Sequence, residues 1–235
     1  MKKALVTMCI GDKWEELKKL TFPSITNYAN RIGATFINID KPMIHPQEVG
    51  FEKFQMFKIL SYYDRIIYLD ADLIVSKKCP DLFNIVPEDE IGAFVESNYW
   101  YLSPDVDHRQ RIIEVQKVLG NIGWVDQYIN TGVLVLGKRH KWIFDLSQNQ
   151  KIVIDLREQT QLNYNIKKLG YWVHDIGMRF NKMDFCNPLD RFDAHIIHYA
   201  GKGYTPEWHN MELKLNRISS DIQQLKLLEQ QEEEI

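Results

Sequence analysis

The sequence predicts an α/β fold, a central sheet with helices packed against it, and three observations carry that expectation. The N-terminal segment reads as strand, helix, strand before residue 40, which favours a parallel crossover. A short apolar run, Arg65 to Leu69, is uninterrupted enough to be a strand buried on both faces, and it leads into Asp70-Ala71-Asp72. Further β-favouring runs then alternate with helical spacings as far as Tyr199.

Taken in order, Ala4 to Met8 is the first strand, closed by Gly11-Asp12. Trp14, Leu17, Leu20, Phe22, Ile25 and Tyr28 keep roughly helical spacing, interrupted by Pro23, until Gly33 ends the element. Ala34 to Ile39 is the second strand, and Lys41 to Gly50, with two prolines, is a loop. Phe51 to Tyr63 is a helix that delivers the chain to the Arg65 strand. Leu73 to Ser76 continues extended, and Cys79 to Phe83 is a short helix with proline near its start. Ile91 to Val95 is a strand, Asn98 to Asp107 an aromatic, irregular segment, and Arg109 to Leu119 a helix. Tyr128 to Gly137 is a strand entered through a polar, glycine-containing corner. Helices over Trp142–Ser147 and Gln159–Leu169 follow, then strands at Tyr171–His174 and His195–Tyr199. The boundary of the main domain is placed at residue 210. Beyond it, Leu215, Ile218, Ile222 and Leu225 step by three and four as a narrow apolar stripe, predicting a C-terminal helix packed on the domain and a disordered acidic end over Gln230–Ile235; a homodimer through the stripe is the alternative, for which two heptads are too few.

A chain of 235 residues with 45% hydrophobic and 26% charged residues can close a substantial core. A formal charge of −3, with no stretch dense in Lys and Arg, argues against a nucleic-acid partner. Cys9, Cys79 and Cys186 are odd in number and widely spaced, the pattern of reduced thiols in a cytoplasmic protein. The N-terminal apolar run stops at Gly11-Asp12-Lys13 without a small-residue cleavage site, and no window has the length of a membrane span.

Residues two apart on a strand share a side, so Asp70 and Asp72 are expected to converge on one cation. Hard carboxylate oxygens with room for water and phosphate suit Mg²⁺ or Mn²⁺. The same pattern also occurs as ordinary loop and capping residues. His198, in the apolar run His195-Ile196-Ile197-His198-Tyr199-Ala200, reads as a metal ligand or as a packed core histidine; for His195 only the core reading has support. Asn130 can cap a turn, and Glu158 and Gln159 can be the exposed first turn of a helix. Tyr99, Trp100 and Tyr101 can grip a sugar face, although burial is the commoner fate of such a run.

Five segments take on a joint meaning in this order: Val6 to Trp14; the Asp-Ala-Asp strand with Lys53 seventeen residues before Asp70; Asn130-Thr131-Gly132-Val133; Glu158-Gln159-Thr160-Gln161-Leu162-Asn163; and His198-Tyr199-Ala200-Gly201 followed by Pro206 and Trp208. Together they resemble the GT-A-fold glycosyltransferases of family 8. The resemblance implies a Rossmann-like, mixed but mostly parallel sheet. It also implies a UDP-sugar donor, a glycan or other hydroxyl acceptor, and Mn²⁺ or Mg²⁺ held by Asp70, Asp72 and His198. By the same resemblance Met8 and Trp14 face the base, Lys53, Ala71, Gly201 and Lys202 lie along the donor, and Asn130, Glu158 and Gln159 lie by the sugar. Retention of anomeric configuration is implied as well.

Two departures stand out. Tyr204 and Thr205 occupy the place of the family's lysine before Pro-Trp, and Glu158 and Thr160 replace two aspartates. Two other readings remain open at this stage: a sugar nucleotidyltransferase, whose glycine-rich opening loop is reduced here to Gly11, and a non-catalytic nucleotide- or glycan-binding relative. The acceptor surface is expected around Asn98–Asp107 and Phe180–Asp193.

Overall fold

The computed structural model describes residues 1–45, 48–102, 107–148, 157–183, 188–200 and 210–233. In chain order the elements are β1 (Lys3–Met8), α1 (Glu15–Arg31), β2 (Thr35–Ile39), α2 (Met56–Tyr62), β3 (Arg65–Asp70), β4 (Leu73–Val75), α3 (Leu82–Ile85), β5 (Ile91–Phe94), α4 (Asp107–Leu119), β6 (Asn130–Gly137), α5 (Arg157–Lys168), β7 (Val173–Asp175), β8 (Ile196–His198) and α6 (Met211–Glu233). Six strands form one sheet in the order β2-β1-β3-β6-β5-β7. The β1–β2, β1–β3 and β5–β7 pairs are parallel, and β6 runs antiparallel to both of its neighbours.

Strand alternation sorts the core onto two faces. Leu5, Ile67, Leu69, Val133 and Val135 point to the side where Ile25, Tyr28 and Ala29 of α1 pack. Ala4, Val6, Ile66, Tyr68, Leu134 and Leu136 point to the side covered by Phe51, Phe54, Leu60 and Leu162. Each Val, Leu, Ile or Phe among them, once buried, contributes about 1.5–3 kcal/mol relative to exposure, so the central strands are doubly anchored. Gly33 ends α1 in the left-handed region, at φ +64°.

The helix α1 runs unbroken through Pro23, which is exposed. The 51–63 segment begins as a 3-10 turn, Val49–Gln55, and becomes α-helical at Met56. The 142–147 segment is likewise two 3-10 turns, Lys138–Phe144 and Leu146–Gln148.

The strand β8 does not join the main sheet. It pairs antiparallel with β4, Leu73 opposite His198, in a separate two-stranded ladder. The helix α6 covers that ladder: Ile218 is fully buried, and Leu215, Ile222 and Leu225 pack on Cys9, Leu17, Ile74 and Ile197. The apolar stripe is therefore consumed within the chain, which removes it as a dimer seam. Asp221 fixes the helix further by accepting from the Tyr199 hydroxyl at 2.9 Å and pairing with Arg191 at 3.0 Å. Helical structure continues through Glu233, farther than the expected acidic tail allowed.

Candidate active site

The carboxyl ends of β1 and β3 and the amino end of β6 open at one edge of the sheet, because β6 is reversed. Met8 stands opposite Asp70 in the β1–β3 register. Asp70 is the last residue of β3, while Ala71 and Asp72 form a turn into β4. The two carboxylates thus converge through a turn between two sheets, and not through the alternation of one strand. Ala71 is buried among Cys9, Leu17 and Ile197 and anchors that turn.

The β4–β8 ladder supplies the third group. Tyr199 N–H donates to the Asp72 carbonyl at 3.0 Å, and His198 Nε2 lies 3.4 Å from Asp72 Oδ1 and 3.7 Å from Asp70 Oδ2. One potential ligand atom from each of Asp70, Asp72 and His198 lies within 4.8 Å of the others. Two carboxylates and an imidazole are a donor set suited to a divalent cation of the Mn²⁺ type, so these residues fit the metal that the sequence suggests. His195, immediately before β8, lies with its ring against Phe180 at 4.7 Å.

Cations from two directions balance the carboxylates. Lys214 of α6 reaches Asp72 Oδ2 at 2.6 Å. Burial alone would push the Asp72 carboxyl up, but the Lys214 ammonium and His198 outweigh it and hold the group well below the usual carboxylate range. Lys53 is 1% exposed. Its ammonium lies 3.3 Å from Asp70 Oδ1 and 3.1 Å from Glu158 Oε1, and donates to the Thr131 carbonyl at 3.1 Å. Burial pulls the Lys53 pKa down, and Asp70 and Glu158 more than restore it, so the group stays charged. The Tyr68 hydroxyl, raised well above its ordinary pKa by burial and by Asp70, donates to Asp70 Oδ1 at 2.8 Å.

A second cluster adjoins the first. Gln159 Oε1 lies 3.3 Å from Asn130 Nδ2 and 3.4 Å from Thr131 N. Glu96, at the end of β5, accepts from both Asn130 Nδ2 and Gln159 Nε2 at 3.4 Å. Asn181, fully buried, links the two clusters: it lies 2.7 Å from His198 Nδ1 and 2.9 Å from Asn130 Oδ1. At Gly132 an added Cβ would overlap the His198 ring, which explains why the strand carries a glycine where it passes the histidine. Trp14 is half-buried at the edge of the α6 cluster, with Lys13 over its ring at 5.2 Å.

Gly201 and Lys202 lie outside the described residues, as do Tyr204, Thr205, Pro206, Trp208 and Cys186. Parts of both expected acceptor segments do too. Tyr99 is stacked on Phe94 at 5.0 Å, a packing contact. Four participants went unmarked in the sequence: Tyr68, Glu96, Asn181 and Lys214. Tyr68 was accessible from alternation, being two residues before Asp70 on one strand, and Glu96 from its place at a strand end. Asn181 and Lys214 carry no local signal.

The family model described as glycosyl transferase family 8 matches residues 47–212. No curated protein matches the chain in sequence. Among solved structures, the fold is similar to a glycosyltransferase involved in the glycosylation of the major capsid of PBCV-1, with a TM-score of 0.63 at 15% identity over 94% of this chain and 100% of that one. It is also similar to the galactosyltransferase LgtC in complex with donor and acceptor sugar analogs, with a TM-score of 0.54 at 16% identity over 92% of this chain and 94% of that one. At such identities these likenesses are of fold, and the family match covers most of the chain; the protein belongs to glycosyl transferase family 8 and is a glycosyltransferase of the GT-A fold.

Proposed function

We propose that the chain transfers a hexose from a UDP-sugar to a hydroxyl of a glycan or similar acceptor, with a divalent cation and with retention of configuration. The observation that carries this reading is the meeting of Asp70, Asp72 and His198 at the open sheet edge, beside the Asn130–Gln159 cluster. Those three residues would hold Mn²⁺ or Mg²⁺, which when bound supplies Lewis-acid neutralisation of the diphosphate leaving group.

The chain's own groups do the rest. Met8 and Trp14 border the base end, and Gly201 and Lys202 are assigned to the diphosphate by motif position. Lys53 is committed to Asp70, Glu158 and Thr131, so its role is to hold the Asp70 carboxylate in place beneath the donor. Glu158 is correspondingly tied to Lys53, which leaves Gln159 and Asn130 as the polar groups facing the sugar. The Gln159 carbonyl oxygen can stabilise oxocarbenium character at the anomeric carbon without a free carboxylate nucleophile, with the Asn130 NH₂ group holding that oxygen in place. The Glu96 carboxylate is engaged as acceptor by both amides, so the acceptor's proton is assigned to the departing phosphate oxygen.

Residues 1–210 are read as the catalytic domain, with α6 appended and contributing Lys214. Cys9 and Cys79 are buried free thiols, in keeping with a cytosolic site of action; among the described residues no helix is long and apolar enough to cross a membrane.

The test is UDP release from a panel of UDP-hexoses with Mn²⁺, with and without chelator, in wild type and Asp72→Asn. The reading predicts turnover with at least one donor, lost on chelation and in the variant. Undiminished turnover in chelator would remove the metal, and release of a β-linked product from an α-linked donor would remove retention.

A further inference from the structure

The direction of every hydrogen bond linking the two clusters follows from one unambiguous donor. The backbone N–H of Gly132 donates to Asn130 Oδ1 at 2.9 Å, which establishes which end of that amide is its carbonyl. The opposite end, Nδ2, accordingly faces two acceptors, Glu96 Oε2 and Gln159 Oε1. The atom of Asn181 that lies 2.9 Å from Asn130 Oδ1 must then be its NH₂ group. The Asn181 carbonyl is thereby turned to His198 Nδ1, at 2.7 Å, and that nitrogen must carry the hydrogen. Whenever the ring is neutral its lone pair therefore lies on Nε2, the nitrogen that faces Asp70 and Asp72.

We infer that Asn181 is a positioning residue that couples the metal end of the site to the sugar end. Its carbonyl selects the His198 tautomer able to bind a cation, and its NH₂ group holds Asn130 in the orientation that offers its amide to Gln159 and Glu96. Asn181 is fully buried, so it acts through these two neighbours. Its backbone is held as firmly as its side chain: Asn181 N–H donates to the Met178 carbonyl at 3.1 Å, Lys182 N–H to Ile196 at 2.9 Å, and His198 N–H to Lys182 at 2.8 Å. These bonds set residue 181 beside the histidine. The inference rests on reading Asp70, Asp72 and His198 as the metal site and Asn130 as a sugar contact.

Two substitutions separate the halves of this role. Asn181→Asp keeps an acceptor for His198 Nδ1–H and loses the donor to Asn130; Asn181→Ala loses both. In the metal-free protein, at a pH high enough that the His198 ring is neutral, its ¹⁵N shifts should show Nδ1 protonated in wild type and in the Asp variant, and Nε2 protonated for a substantial fraction in the Ala variant. Mn²⁺ affinity, titrated without nucleotide, should fall about 10- to 100-fold in the Ala variant and be retained in the Asp variant. The preference for a UDP-hexose over UDP should fall in both. Nε2–H as the wild-type tautomer overturns the inference without any variant. Equal Mn²⁺ affinity in wild type and Asn181→Ala, or equal losses in the Ala and Asp variants, overturns it alone. A wild-type chain that binds no Mn²⁺ overturns the metal reading as well.

Discussion

Lys53 shows how far a residue's position in a motif differs from what its surroundings let it do. The sequence places it along the donor, and the structure places its ammonium among Asp70, Glu158 and Thr131 with 1% exposure. Removing one partner from a buried ion-pair network leaves uncompensated charge and costs about 3–5 kcal/mol. Lys53→Met is therefore expected to lower unfolding stability by roughly that amount in urea; a variant as stable as wild type would mean that Lys53 is free to serve the donor directly. Gly132 makes the converse point. A methyl group there meets the His198 ring, and the strand must shift or the ring must rotate, at about 1–3 kcal/mol. Gly132→Ala should lose Mn²⁺ affinity more than stability, checked by titration of the metal and by thermal unfolding. At this scale Asp70, Asp72, His198, Asn130 and Gln159 could be picked from the sequence, because each sits in a motif or at a strand end. Asn181 could not, since its role depends on a bridge between residue 182 and β8 that no local pattern announces.

At the scale of elements, the two-stranded ladder and α6 decide the site's charge. The sequence showed both as apolar runs of the right period, and it gave the existence of the strands and the stripe. It did not show that β8 leaves the main sheet to pair with β4, because a three-residue strand reads the same in either ladder. Nor did it separate 3-10 turns from α-helix at Val49–Gln55 and Lys138–Phe144, where apolar spacing is short and compatible with both. The placement of α6 brings Lys214 to 2.6 Å from Asp72. A positive charge there opposes a bare cation and favours an anionic diphosphate. Lys214→Met is expected to tighten Mn²⁺ alone by about 1 kcal/mol, roughly fivefold, and to weaken Mn²⁺-dependent UDP binding by a similar factor. Calorimetry of each ligand measures both; movement of the two affinities in the same direction would contradict the electrostatic account.

For the whole molecule, the fold class was legible because the central strands are apolar on both faces and are joined by helices, leaving few architectures open. The reversed strand β6, which brings Asn130 to the same edge as Asp70, was not legible from pattern, since strand direction leaves no trace in composition. One buried group ties global stability to pH. His140 accepts from Gly137 N–H at 2.9 Å and approaches the Asp89 carbonyl at 3.2 Å, and burial lowers its pKa from 6.5 to about 4. Between those values the unfolded chain binds the proton that the folded chain refuses, so stability rises with pH there and is lost as pH falls. From pH 7.5 to pH 5 the loss assigned to His140 is about 2 kcal/mol, and urea unfolding of His140→Asn should show a correspondingly flatter dependence. The claim on which the functional account turns is that the sheet edge holds a nucleotide diphosphate through a divalent cation. Titrating UDP into the protein by calorimetry, with and without Mn²⁺, tests it most directly. The account predicts binding that requires the metal and is lost in Asp72→Asn; UDP binding of equal strength without Mn²⁺, or none in either condition, would contradict it.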